Sequence, residues 1–165
     1  MEEQNRVPRN LPIIHINNIV MFPFLMIPLV VSDETHKKVI DYALANDKLL
    51  GFFLSKGVDE EGEVDIYSFG CAVTILRMLR NQDGSISLLL QGSSRIKQQK
   101  VVQRNPFIMV DVEQVTEYSS EDAEILAYRT VALELLDKIS QESSLLNREM
   151  ITGLSNIKQA GRVAD

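Results

Sequence analysis

From Leu11 to Ser32 the chain holds no Asp, Glu, Lys or Arg, yet Pro12, Pro23 and Pro28 interrupt the run. Few features constrain a fold more. A stretch this apolar is long enough to cross a membrane as a helix, but each internal proline removes a helical donor and clashes with the preceding turn. His15, Asn17 and Asn18 add polar groups that such a span would have to bury. Glu2 and Glu3 carry the wrong charge for the leading end of a secretory signal. No membrane association is expected. The segment reads instead as two short β segments, around residues 12–16 and 28–31, joined by a proline-stiffened loop carrying Met21, Phe22, Phe24, Leu25 and Met26. That loop either folds beneath its own domain or offers apolar surface to something else.

Beyond the loop, Ser32 reads as a helix N-cap, with Asp33 and Glu34 suited to the positive end of the helix. Val39, Ile40, Ala43 and Leu44 recur at amphipathic spacing, and the helix should stop near Asn46. The continuous apolar run Leu49–Leu54 is most simply a buried strand. Between Val58 and Val64 lies an acidic loop without the alternate spacing of a calcium site. A strand expected from about Gly70 reverses at Asn81-Gln82-Asp83-Gly84, a strong hairpin signal. The return strand puts Ile86, Leu88 and Leu90 on one face, and Gly92 marks a bulge or a close backbone approach. A further strand is expected near Arg95–Gln103. Pro106 then opens the last, where Ile108, Val110 and Val112 alternate with Phe107, Met109 and Asp111.

The composition changes at Tyr118. Ser119 with Asp122 resembles a capped helix start, and Ile125, Tyr128, Ala132, Leu135 and Ile139 keep helical spacing for several turns. A shorter helix is expected over residues 147–156, with Met150, Ile151 and Leu154 apolar. Gly161-Arg162-Val163-Ala164-Asp165 looks like the start of another helix, so the chain reads as a piece of a longer protein. The expected class is α+β: a β-rich unit with one inserted helix over residues 1–117, then a helical segment over residues 118–165.

Catalytic chemistry is conspicuously missing. The single cysteine, Cys71, reads as a small buried hydrophobe in a strand and suits a reducing cytoplasm, where the protein is expected to reside. His15 and His36 have no Cys or His partner at metal-ligand spacing. No glycine precedes Lys-Ser or Lys-Thr, so there is no phosphate-cradling loop. Ser94 and Lys97 match a Ser-x-x-Lys spacing, but in a strand they face opposite sides, and companion motifs are lacking. A net charge of −6 argues against general nucleic-acid binding. The basic residues Arg77, Arg80, Arg95, Lys97, Lys100 and Arg104 read as solvated strand faces, with no aromatics between them to stack on bases. The chain reads as a binder, with no catalytic residue, metal or cofactor of its own.

Taken in order, Leu11-Pro12, Phe22-Pro23, Ile27-Pro28-Leu29, the helix, the acidic loop, Gly70, Asp83-Gly84, Gly92 with Arg95, Pro106-Phe107 and Gly161–Asp165 resemble the N-terminal domain of the ATP-dependent Lon protease. The resemblance covers nearly the whole chain. It departs at Asn17-Asn18, at Ser32-Asp33, where the family usually carries Gly-Arg, and at Gln159-Ala160. Asp33 therefore puts in doubt any role that needs a basic side chain there. The resemblance implies a small PUA-like pseudo-barrel followed by a truncated helical bundle. It implies capture of unfolded, misfolded or degron-tagged proteins, and support of a homohexamer. ATP and magnesium would belong to an ATPase module, and cleavage to a Ser-Lys dyad, both outside these residues. A free-standing adaptor of the same fold and an RNA-binding PUA-like domain stay open as alternatives.

Unfolded proteins are marked by exposed apolar side chains, and methionine suits a promiscuous surface. The expected client groove is therefore lined by Ile16, Met21, Phe22, Phe24, Leu25, Met26 and Pro28, with Met78 and Leu79 beside the hairpin. Phe22 and Phe24 share a parity, which leaves Phe22 between core and groove.

Overall fold

A computed structural model describes residues 7–115, 122–142, 148–157 and 160–164. Six strands run β1 (Asn10–Ile16), β2 (Met26–Val31), β3 (Leu49–Val58), β4 (Val64–Arg80), β5 (Ile86–Gln103) and β6 (Met109–Gln114). Helix α1 (Glu34–Ala45) lies between β2 and β3, and α2 (Ala123–Glu142), α3 (Arg148–Ser155) and α4 (Ala160–Ala164) follow the strands. The class is α+β, as the sequence implies. The chain divides into two compact units, Met1–Thr116 and Glu117–Asp165.

The strands form one sheet in the order β2-β5-β4-β3-β1-β6, and an added β5–β6 pairing curls it closed. β1 and β3 pair in parallel, Ile13 opposite Gly51, while the other neighbours are antiparallel. The two faces bury different cores, which explains the unbroken apolar runs. Ile14, Leu50, Phe52 and Val73 pack with Val39, Ile40 and Ala43 of α1. Their neighbours Ile13, Phe53 and Ala72 turn the other way, to Leu11, Ile66, Ile96, Val110 and Val112. A strand buried on both faces has no polar alternation to show.

Gly92 reconciles two requirements. Ala72 lies opposite Ser94 and Val73 opposite Gly92, so Ser93 is one extra residue in β5. The bulge reverses the parity of the strand: Leu90 faces the α1 core, while Ile96, also even-numbered, faces the second. β5 is therefore one strand, where two were expected on either side of Gly92.

Other expectations shift by local chemistry. The α1 cap is Asp33 and not Ser32: Asp33 is extended (φ −67°, ψ 132°) and its carboxylate accepts from the His36 N–H at 2.8 Å. β4 begins at Val64, six residues before Gly70, because bulges opposite Phe53 and Ser55 carry the ladder through its polar stretch. Asp111 does not alternate outward between Val110 and Val112. All three are buried, and Asp111 accepts from Arg9 Nε at 3.0 Å. The 81–84 reversal stands as expected, with Gly84 at φ 80° and its N–H on the Asn81 carbonyl at 3.1 Å. The cap expected at Ser119 and the side chains of Met150 and Ile151 lie outside the described residues.

Candidate functional site

The proline-rich loop ends in a turn whose geometry is set by three main-chain hydrogen bonds. Leu25 N–H donates to the Phe22 carbonyl at 3.3 Å, closing a four-residue turn with Pro23 second and Phe24 third. Phe24 has φ 68°, the left-handed value that a type II turn demands at its third residue, where glycine is usual. Phe24 N–H then donates to the Gly92 carbonyl, and Gly92 N–H to the Leu25 carbonyl, both at 2.9 Å. Two residues, Phe24 and Leu25, thus oppose one, with the first left-handed, which is a G1-type bulge. A Cβ on Gly92 would lie 2.1 Å from the Phe22 carbonyl oxygen, so only glycine lets the turn seat on β5.

From this turn β2 runs along β5, and β5 along β4, in fixed register. Pro28 lies opposite Leu89, which lies opposite Arg77; Val30 lies opposite Ser87, which lies opposite Leu79. Ile86, Leu88 and Leu90 face the core, so these rows point outward. Its exposed apolar members are Met26 at 56%, Val30 at 63% and Leu79 at 64%, set beside the polar Gln91, Arg77 and Ser87. Phe24, 52% exposed, and Leu25 stand at its edge on the turn.

Six of the nine candidate residues share this region: Phe24, Leu25, Met26, Pro28 and Leu79, with Phe22 half-buried under the turn. Met21 does not. It is 5% exposed and packs in the α1 core, so it is corrected from groove to core. Ile16 is half-buried against that same core, on β1, which does not neighbour β2. Met78 lies opposite Leu88 on the core parity and is exposed only at the margin. Val30 was missed, although it shares the parity of Met26 and Pro28. Leu76, opposite no β5 residue in the register shift between Ile75 and Arg77, carried no signal.

A second exposed cluster lies on the other half of β4. Lys56 Nζ sits 5.3 Å from the Tyr67 ring centre and Lys97 Nζ 5.8 Å from that of Phe69. Aromatics do therefore interleave with the basic residues, supplied by the neighbouring strand. Carboxylates accompany them, with Lys56 on Asp65 at 3.2 Å and Arg104 on Glu63 at 3.0 Å.

His15 and His36 meet edge to face, ring centres 4.6 Å apart, where β1 passes the start of α1. Burial, and then the neighbouring His36, lower the His15 pKa to about 4, against a smaller opposing pull from Asp33. Burial also lowers His36, partly offset by Asp33. Among the described residues no three His, Cys, Asp or Glu side chains come together as a metal site, and no helix is long and apolar enough to cross a membrane.

Residues 10–165 match the family model of the ATP-dependent protease La (LON) substrate-binding domain. The chain belongs to that Lon family. It is 33% identical over 167 residues to the Lon protease of Trichlorobacter lovleyi, covering 99% of this chain and 20% of that protein. It is 31% identical over 160 residues to that of Roseiflexus castenholzii, covering 96% and 20%. The chain thus spans about a fifth of the length of these Lon relatives. Among solved structures it resembles the N-terminal domain of a Mycobacterium avium complex Lon protease, with TM-score 0.70, 19% identity, and coverage of 94% of this chain and 80% of that one. It also resembles a Lon N-terminal domain protein from Xanthomonas campestris, with TM-score 0.60, 18% identity and 94% coverage of both. These likenesses place the sheet and its helices in the Lon N-terminal fold.

Proposed function

We propose that the Phe24–Met26 turn and the outward face of β2, β5 and β4 capture apolar side chains that unfolded, misfolded or degron-tagged proteins expose, for ATP-dependent proteolysis in the cytoplasm. The observation that carries this is the exposure of Phe24, Leu25, Met26, Val30 and Leu79 around one registered sheet face. Contiguous exposed apolar surface on a folded domain marks an interaction site. Burying one client side chain of Leu or Phe size yields roughly 1.5–3 kcal/mol before ordering costs, so one contact is weak. Six copies in a homohexamer would add avidity. The domain itself performs no hydrolysis; nucleotide with magnesium, and peptide cleavage, belong to the ATPase and protease modules of a full-length serine protease. Its role is selection, and nucleic acid is not among its partners.

The test is amide chemical-shift mapping of the chain titrated with an unfolded model protein and, separately, with the same protein folded. Only the unfolded form should perturb Phe24–Val30 and Leu79. Leu25→Ala with Met26→Ala should weaken that binding and leave stability within about 0.5 kcal/mol. Equal binding of the folded form, or perturbations confined to the Tyr67–Phe69 region, would overturn the assignment.

A further inference from the structure

β2 ends the strand order, and the sheet closes through β5–β6, so among the described residues β2 has a strand partner on one side only. An edge of this kind, six residues long and apolar, invites a client strand or a second copy to add to it. Whether it can do so depends on which main-chain groups face outward. The Phe24–Gly92 and Gly92–Leu25 bonds make the bulge a hydrogen-bonded pair. Stepping along the register, bonded and non-bonded pairs alternate. Ile27 with Leu90, Leu29 with Leu88, and Val31 with Ile86 are then the bonded pairs. Met26, Pro28 and Val30 are the non-bonded ones, and their main-chain groups face away from β5.

Three positions therefore turn their main-chain groups to the open edge, and the middle one is a proline, which keeps its carbonyl but has no N–H to offer. Pro28 costs β2 no bond to β5, because its nitrogen faces out, but it deletes the donor between Met26 and Val30. No two successive outward donors remain, and the next turn of chain is already the Asp33 cap of α1. We propose, resting on the client-capture reading above, that β2 is a one-sided edge. It admits client side chains onto its exposed face and refuses a client strand, and Pro28 is the residue that refuses it. Clients held this way need apolar side chains but no β-propensity and no register, so the site accepts segments that could not join a sheet. The same proline keeps the apolar faces of two copies from pairing edge to edge.

The experiment uses the 165-residue chain, its Pro28→Val and Pro28→Ala variants, and two synthetic apolar peptides. The peptides have one sequence, and one carries N-methyl groups on alternate backbone nitrogens. Wild type should bind both within about twofold, since no ladder bonds form. Pro28→Val, with the N–H restored, should bind the unmethylated peptide roughly two- to tenfold more tightly than the methylated one. It should also self-associate in sedimentation velocity where wild type does not. Pro28→Ala should shift the same way by less, and shows whether β-branching alone causes the effect. Wild type favouring the unmethylated peptide more than fivefold would overturn the proposal, as would Pro28→Val that folds, stays monomeric and ignores methylation. If wild type binds neither peptide, the capture reading fails, while self-association of the Pro28 variants still decides the edge.

Discussion

Phe24 holds an aromatic ring at a position where the backbone asks for glycine. A left-handed conformation costs an L residue about 1–2 kcal/mol, while glycine adds about 0.5–1 kcal/mol of unfolded-state freedom. Phe24→Gly should therefore leave thermal stability equal or raise it by up to about 1 kcal/mol, while weakening capture of an unfolded client roughly tenfold. Phe24→Ala keeps the strain and should lose capture with no gain in stability. Calorimetry beside a binding titration separates the two; a Phe24→Gly variant that melts well below wild type would show the ring to be structural. His15 and His36 give a second prediction. Their folded pKa values lie below the unfolded 6.5, so the unfolded chain takes up protons more readily. Stability should be full above about pH 6.5 and fall as the pH drops toward 4. His15→Gln should flatten that slope in urea melts across the range; an unchanged slope would mean other groups set it.

At the scale of elements, the bulge in β5 joins the fold to the site. Gly92→Ala drives a methyl into the Phe22 carbonyl and should cost roughly 1–3 kcal/mol in urea unfolding, with shift changes at Phe24 and Leu25. An unchanged midpoint would mean that the turn relaxes away freely. The elements themselves were readable where one period dominated: α1 from Val39, Ile40 and Ala43, the return strand from Ile86, Leu88 and Leu90, the hairpin from Asp83-Gly84. Readings failed where tertiary pairing overrode local pattern. Polar residues before Gly70 hid the start of β4. Gly92 is the bulge and close approach that its place in a β pattern suggests, but nothing local showed that β5 runs on through it with its parity reversed. The site was legible as a segment but not residue by residue. The prolines suspend alternation between Met21 and Met26, so nothing local tells a buried methionine from an exposed one. Tyr67 beside Lys56 and Phe69 beside Lys97 follow from cross-strand register, which no linear pattern displays.

For the whole molecule, every residue of both apolar clusters lies between Val7 and Val112, inside the first unit. Residues 1–116 expressed alone should therefore unfold cooperatively with a Tm within roughly 5 °C of the full chain, a shift worth about 1 kcal/mol. Scanning calorimetry that finds no transition in this fragment would show that the helices are needed for folding. The same long-range closure has a consequence for how the protein is made. β1 finishes the sheet by pairing with β6, and the Arg9–Asp111 ion pair joins groups 102 positions apart. A ribosome adding about 5–20 residues per second leaves β1 waiting roughly 5–20 s for β6, and the apolar loop roughly 3–14 s for the Gly92 segment of β5 on which it seats. For that interval the nascent chain displays the kind of unburied apolar segment that its finished surface is proposed to seize.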